Sequence, residues 1–191
     1  MAEPRPVKRT LAGIVGAAVA TLILTLTPLE ESGRRVAVRI DPVTQAATIT
    51  HLGGPQYLRV YLDVVGVATA CDGLTRGMRP GMRFTEAQCN AMLEAELVVT
   101  ATAIRRCSPG LFDGRHDYPL AASVLLAHNI GSGGYCGSTA ARLLRTGQIR
   151  AGCDAFLSWD KVTMRGRKVR LQGLADRRQR ERALCLRGAV A

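Results

Sequence analysis

The first thirty residues constrain this chain most. Arg5, Lys8 and Arg9 form a basic head, and Thr10 to Leu29 then runs twenty residues without a charge. As a helix, a run of that length spans about 30 Å, one hydrocarbon core. Positive charge ahead of it predicts an N-terminus held in the cytoplasm and an exported remainder. No small-x-small cleavage signal follows, so a retained signal anchor is expected in preference to a removed signal peptide. The run is weakly hydrophobic, because Thr10, Thr21, Thr25, Thr27 and many Ala and Gly residues dilute Ile14, Val15, Leu22, Ile23 and Leu24. Ala12, Gly16 and Ala20 fall at four-residue spacing, a small-residue face on which helices pack closely. An ordinary anchor and a helix that inserts but can leave the membrane both satisfy these residues. The expected division is a membrane helix over 1–29 and an exported domain over 30–191.

Cysteine usage points to the same compartment. Six cysteines stand at 71, 89, 107, 136, 153 and 185, dispersed and never as CxxC. The three histidines, at 51, 116 and 128, share no short motif with them, so no metal site is expected. An even, dispersed set suits disulfides in an oxidising compartment. At least two bridges are expected, with Cys153–Cys185 first, because it would tie two neighbouring C-terminal helices.

The remaining composition excludes several classes. With 191 residues the chain builds one domain with a real core. Hydrophobic residues at 47% exclude global disorder, and aromatics at 4% argue against a stacking surface for single-stranded nucleic acid. The net charge of +11 is concentrated in residues 161–188, which carry ten Lys/Arg. That run reads as a solvated basic face with weak attraction to anionic wall polymers, and no nucleic-acid partner is expected.

Val36 to Ile40 and Ala46 to Thr50 read as two short strands joined by the turn Asp41-Pro42-Val43-Thr44. Tyr57 to Ala70 reads as further short strands broken by Gly66. From Thr85, a good N-cap, the period becomes helical, with Cys89, Leu93, Leu97, Ala101 and Ile104 as the apolar stripe. Ser108-Pro109-Gly110 stops that helix. A buried helix from Pro119 to Ile130 ends at the glycine-rich residues 131–134, and Ser138 caps another that ends near Thr146. A further helix covers about 149–158, residues 161–173 read as a basic loop, and Leu174 to Leu186 as a last helix. Trp159 reads as core. The fold class is α+β, a small β-rich lobe followed by a helical lobe.

Tyr61-Leu62-Asp63, then Gly66, Thr69, Gly73 and Thr75, resembles the signature of phage-type lysozymes, glycoside hydrolase family 24. The likeness continues through Arg79-Pro80-Gly81 to Cys89, and resumes at Asn129-Ile130-Gly131, Ser138 to Arg142, Ala151-Gly152-Cys153 and Gly173 to Leu186. With the membrane-like N-terminus, the whole chain resembles a signal-arrest-release endolysin of the lambdoid kind. The resemblance implies a lysozyme-like fold and a muramidase that needs no cofactor. In that family a glutamic acid protonates the glycosidic oxygen, and an aspartate and a threonine position water or stabilise the cationic transition state. Asp63 and Thr69 match the aspartate and threonine. Read on its residues alone, Asp63 beside a glycine turn also suits a turn cap.

The glutamate is where this sequence departs. The family places it nine residues before the aspartate, and Gly54 stands there. The family histidine after the second glycine is Leu74. Either the acid is lost, or an insertion has moved it upstream. Glu31, and after it Glu30, follow the N-terminal helix as the family glutamate does. The hairpin of residues 34–52 would be the insertion, since a hairpin joins two nearby points without separating its flanks. Asp72 is a candidate substrate-binding residue that also suits a polar strand end, and Asn129 is a candidate sugar ligand that also suits a helix cap. The expected reaction is hydrolysis of the β-1,4 bond between N-acetylmuramic acid and N-acetylglucosamine in peptidoglycan. Its rivals are a lytic transglycosylase and a catalytically inactive wall-binding or membrane-scaffold protein. The expected location is the host inner membrane, N-terminus inside, and then the periplasm, with a holin or pinholin as functional partner.

Overall fold

The computed structural model describes residues 9–63, 66–164 and 166–187. Arg5 and Lys8 of the basic head, and Arg165 of the basic run, lie outside the described residues. The chain opens with two helices, α1 (Leu11–Val15) and α2 (Ala17–Ser32), separated by Gly16 at φ +86°, which glycine adopts at no steric cost. Thr10 caps α1 by accepting the Gly13 N–H, and Glu94 accepts the Leu11 N–H across the fold. One apolar stripe, Leu11, Val15, Val19, Ala20, Ile23 and Leu24, continues through the break and is buried in the domain core. Thr27 joins it, with its hydroxyl donating to Ile23 O. The uninterrupted helix expected over 10–29 is thus replaced by a broken one, and no helix among the described residues is long and apolar enough to cross a membrane.

The expected hairpin is present as β1 (Arg35–Ile40) and β2 (Ala47–Gly53), antiparallel with Val38 opposite Ile49. Val36, Val38, Ile40, Ala47, Ile49 and His51 point inward in strict alternation, which fixes the register. A smaller hairpin, β3 (Tyr61–Leu62) and β4 (Ala68–Thr69), follows. The long helix α3 (Glu86–Cys107) starts at a capping box in which Thr85 and Gln88 satisfy each other's backbone N–H groups. All five residues of its expected stripe are at most 2% exposed.

The helical lobe comprises α4 (Asp117–Ile130), α5 (Ser132–Cys136), α6 (Thr139–Arg145, capped by Ser138) and α7 (Ile149–Asp154). Gly131, at φ +82°, ends α4 as expected, but the next residues form α5 instead of a loop. The Cys107–Cys136 bridge and the packing of Gly134 on Ile130 and Trp159 hold that helix, overriding the low propensity of its glycines. Trp159 packs half-buried on the core. The basic loop expected at 161–173 is instead a hairpin, β5 (Lys161–Met164) and β6 (Arg167–Arg170), with Val162 opposite Val169. Its strands are too polar to show a one-sided pattern, so only the cross-strand pairing reveals them. Helix α8 (Gln172–Leu186) packs across α4 and closes the lobe.

All six cysteines are paired, as Cys71–Cys89, Cys107–Cys136 and Cys153–Cys185. The third is the pairing expected from the sequence, and it ties α7 to α8. Replacing Cys153 and Cys185 together with alanine should lower the unfolding free energy by about 2–4 kcal/mol in urea denaturation. An unchanged midpoint would mean that helix packing alone holds α8 in place.

Candidate active site

The site begins where α2 ends. Gly33, at φ +75°, stops the helix directly after Glu31 and Ser32 and turns the chain into β1. After the hairpin the chain returns to the same point. A Cβ on Gly54 would lie 2.4 Å from the Gly33 carbonyl oxygen, so the two strands touch at the base and no side chain fits at 54. The position where the family pattern puts its acid therefore cannot carry one here. Arg34 locks this closure from inside. Its guanidinium makes a two-pronged contact with Asp72, with Nε at 3.0 Å from Oδ1, and Nη2 also donates to Asn90 at 2.9 Å. Ser32 donates to the same Asp72 oxygen at 2.7 Å. Asn90 donates to Ile49 O and Glu86 accepts the His51 N–H, so the hairpin is seated on the start of α3.

These bonds press Glu31 against the turn after β4. Its Oε2 lies 3.2 Å from where a Cβ on Gly73 would stand, a tight approach at a residue whose φ of +80° already favours glycine. Its Oε1 accepts from Arg177 Nη2 at 2.7 Å. Glu30 differs: Arg180 holds both of its oxygens, at 2.7 and 2.6 Å. Both glutamates are thus fastened to α8. A cleft of about 460 Å³ opens beside Leu74 and is floored by α3 and α4, with Met92, Glu96, Thr100 and His128 on its wall. Among the described residues, none of the inserted hairpin lines it. Burial holds His128 below its ordinary range, against the opposing pull of the Glu31 and Glu96 carboxylates.

Asp63 and Thr69 share the β3–β4 hairpin, whose second strand runs into the turn that Glu31 touches. The Asp63 carboxylate accepts the Val67 N–H at 2.8 Å, the turn-cap geometry its position suggests. The Thr69 hydroxyl donates to Val67 O at 3.0 Å. Asn129 is exposed at the end of α4, next to His128. Asp72 departs from its expected role. At 2% exposure, with both oxygens bonded to Arg34, it is an internal clamp with no surface to offer a sugar. The basic face expected at 165–182 is also corrected in part. Arg177 and Arg178 are 6% and 0% exposed, because α8 turns them inward onto Glu181 and Glu31. Their signal was the i, i+4 and i, i+3 spacing of Arg177 and Arg178 to Glu181, hidden inside a run of charge. His128 and Glu96 gave no signal, since neither stands in a recognisable motif.

A small β lobe beside a helical lobe, with Glu31 at the end of α2 fastened to α8, is the architecture of a lysozyme-like glycoside hydrolase. The Phage lysozyme family model matches residues 54–181. A SAR-endolysin of Bacteriophage PS119 is 34% identical over 158 residues, which is 82% of this chain and 90% of that protein. Among solved structures, the endolysin from Escherichia coli O157:H7 phage FAHEc1 superposes with a TM-score of 0.65 at 20% identity, covering 89% of this chain and 90% of that one. A P22 lysozyme mutant does so with a TM-score of 0.55 at 30% identity, covering 69% and 88%. The chain belongs to the phage lysozyme family, and is a muramidase that lyses peptidoglycan.

Asp72→Ala should destabilise the protein by about 3–5 kcal/mol, because it leaves the Arg34 guanidinium buried without its counter-charge. Chemical denaturation measures this. A loss below about 1 kcal/mol would show that Asn90 and Glu86 suffice to hold Arg34 and the hairpin base.

Proposed function

We propose that Glu31 donates the proton to the glycosidic oxygen, that Asp63 is the second, ionised carboxylate, and that Thr69 positions water. The observation that carries this is the contact between Gly33 and Gly54. With the hairpin closed at its base, the chain is continuous in space across it, and Glu31 stands before the β3–β4 hairpin as the family glutamate stands before its aspartate. Glu31 is favoured over Glu30 because Arg180 occupies both oxygens of Glu30, whereas Glu31 turns Oε2 toward Gly73. Cleavage of the muramyl bond needs two carboxyls of unlike ionisation. Glu31 is partly sheltered and bonded to Arg177, whereas Asp63 accepts a backbone N–H in its turn. Asn129, exposed at the end of α4, would bond a substrate sugar.

Glu31→Gln should cut lysis of permeabilised cells by about 10²–10⁴-fold while leaving the fold intact, or about 3–5 kcal/mol of barrier. Asp63→Asn should be as severe and Thr69→Ala milder. Full activity of the Glu30→Gln/Glu31→Gln double variant would refute the assignment. Reducing-end products would separate hydrolysis from transglycosylation, which leaves an anhydro sugar.

The N-terminal run has a second host in this reading. Before release, residues 1–29 anchor the chain in the host inner membrane with the N-terminus in the cytoplasm, and residues 30–191 form the periplasmic catalytic domain. A holin or pinholin supplies the trigger. The basic head, the charge-free run and the likeness to the SAR-endolysin of Bacteriophage PS119 support this. Apolar residues that face lipid in one state fill the core in the other. Ala17 and Ala18 are exposed in the folded domain. Ala17→Leu/Ala18→Leu should therefore spare the enzyme and favour the bilayer by roughly 0.3–0.6 kcal/mol per leucine. Fractionation should show slower passage from membrane to soluble form; an unchanged partition would count against the anchor.

A further inference from the structure

Arg177, Arg178 and Glu181 form a buried ionic cluster on α8, at 6%, 0% and 2% exposure. Arg177 stands between two carboxylates. Its Nη2 donates to Glu31 Oε1 at 2.7 Å and its Nε to Glu181 Oε1 at 3.0 Å. Arg178 donates to the same Glu181 oxygen at 2.8 Å. Among the described residues, Glu181 Oε2 and the Nε and Nη1 of Arg178 find no hydrogen-bond partner. Taking three charges out of water costs more than such bonding returns, and apolar side chains of like volume would pack there with less penalty. The cluster needs a reason beyond packing, and among the described residues the Arg177–Glu31 bond is its hydrogen-bonded link to α2.

We propose that Glu181 is a positioning residue for the acid: it shares the Arg177 cation with Glu31 and so sets how firmly Arg177 holds the Glu31 anion. This rests on the reading of Glu31 as proton donor. An ionised Glu181 divides the charge of Arg177 between two carboxylates. A neutral residue at 181 leaves the whole cation to Glu31, which favours the anion, and the anion has no proton to give. The other charged groups around the cluster are Glu30 and Glu31 from α2, His128 from α4 and Arg180 from α8 itself; Asp154 of α7 is taken by Arg182. Burial pushes the Glu181 carboxyl up to about 7, against the pull of the two guanidiniums. Its ionisation as pH rises through neutrality would therefore help Glu31 keep its proton and extend activity to the alkaline side.

Glu181→Gln keeps the shape and removes the charge. The alkaline limb of the kcat/KM profile should move down by about one pH unit, roughly a tenfold loss on that limb. The rate on the acid side and KM should be unchanged, which a merely structural defect would not produce. A profile superimposable on that of the unaltered enzyme, in a variant folded by circular dichroism, overturns the proposal. The unaltered protein gives a second reading that does not depend on the variant folding. The carboxyl-carbon NMR titration of Glu31 should show an added step at the pH where Glu181 titrates, and its absence overturns the proposal too. The two readings fail separately. A lytically active Glu31→Gln enzyme removes the acid assignment and leaves the NMR coupling to be judged alone. An inactive Glu31→Gln enzyme with an unmoved Glu181→Gln profile overturns only the role of Glu181.

Discussion

The buried contact of Arg34 with Asp72 is what the rest of the site depends on. It joins the first residue after the α2 turn to the residue before Gly73. Through Ser32, which bonds the same carboxylate, it fixes the end of α2 against the turn that follows β4. The charges are costly to bury, but each has several partners, so the pair is specific as well as tight. Once it forms, Gly33 and Gly54 meet, the inserted hairpin becomes a side branch, and Glu31 reaches Gly73. An inserted hairpin that would otherwise separate the end of α2 from the β3–β4 hairpin becomes neutral in space.

Helix α8 does the complementary work from the other lobe. Its arginines hold both glutamates at the end of α2, Arg177 on Glu31 and Arg180 on Glu30. Part of the large positive charge is therefore spent inside the molecule, on fastening one lobe to the other. The Cys153–Cys185 bridge steadies the far end of the same helix. A change that moves α8 would therefore move Glu31 and Glu30 with it.

The N-terminal run is part of the folded domain. Its apolar residues recur at helical spacing, and that stripe is buried against α3 and α4. Gly16 lets the run break into two helices to fit the domain, and its threonines bond back to their own helix, as Thr27 does to Ile23 O. Both features fit the run to the folded domain, the first by turning the chain and the second by satisfying a buried hydroxyl.

The sequence by itself determined the local elements and the class. The stripe of α3 and the caps at Thr85 and Ser138 were legible because they rest on neighbours three and four residues apart. The β1–β2 hairpin was legible from its alternation, and the motif around Asp63 gave the class. The tertiary structure decided what depends on residues far apart in sequence. Asp72 looked like a sugar ligand until Arg34, thirty-eight positions away, was seen to fill its carboxylate. Arg177 and Arg178 looked like a solvated face until α8 turned them inward, and the β5–β6 hairpin looked like a loop because its pairing is not written in polarity. Glu31 was nameable as a candidate, but its place was decided by a contact between two glycines. Such a contact leaves no mark in a sequence except the absence of a side chain.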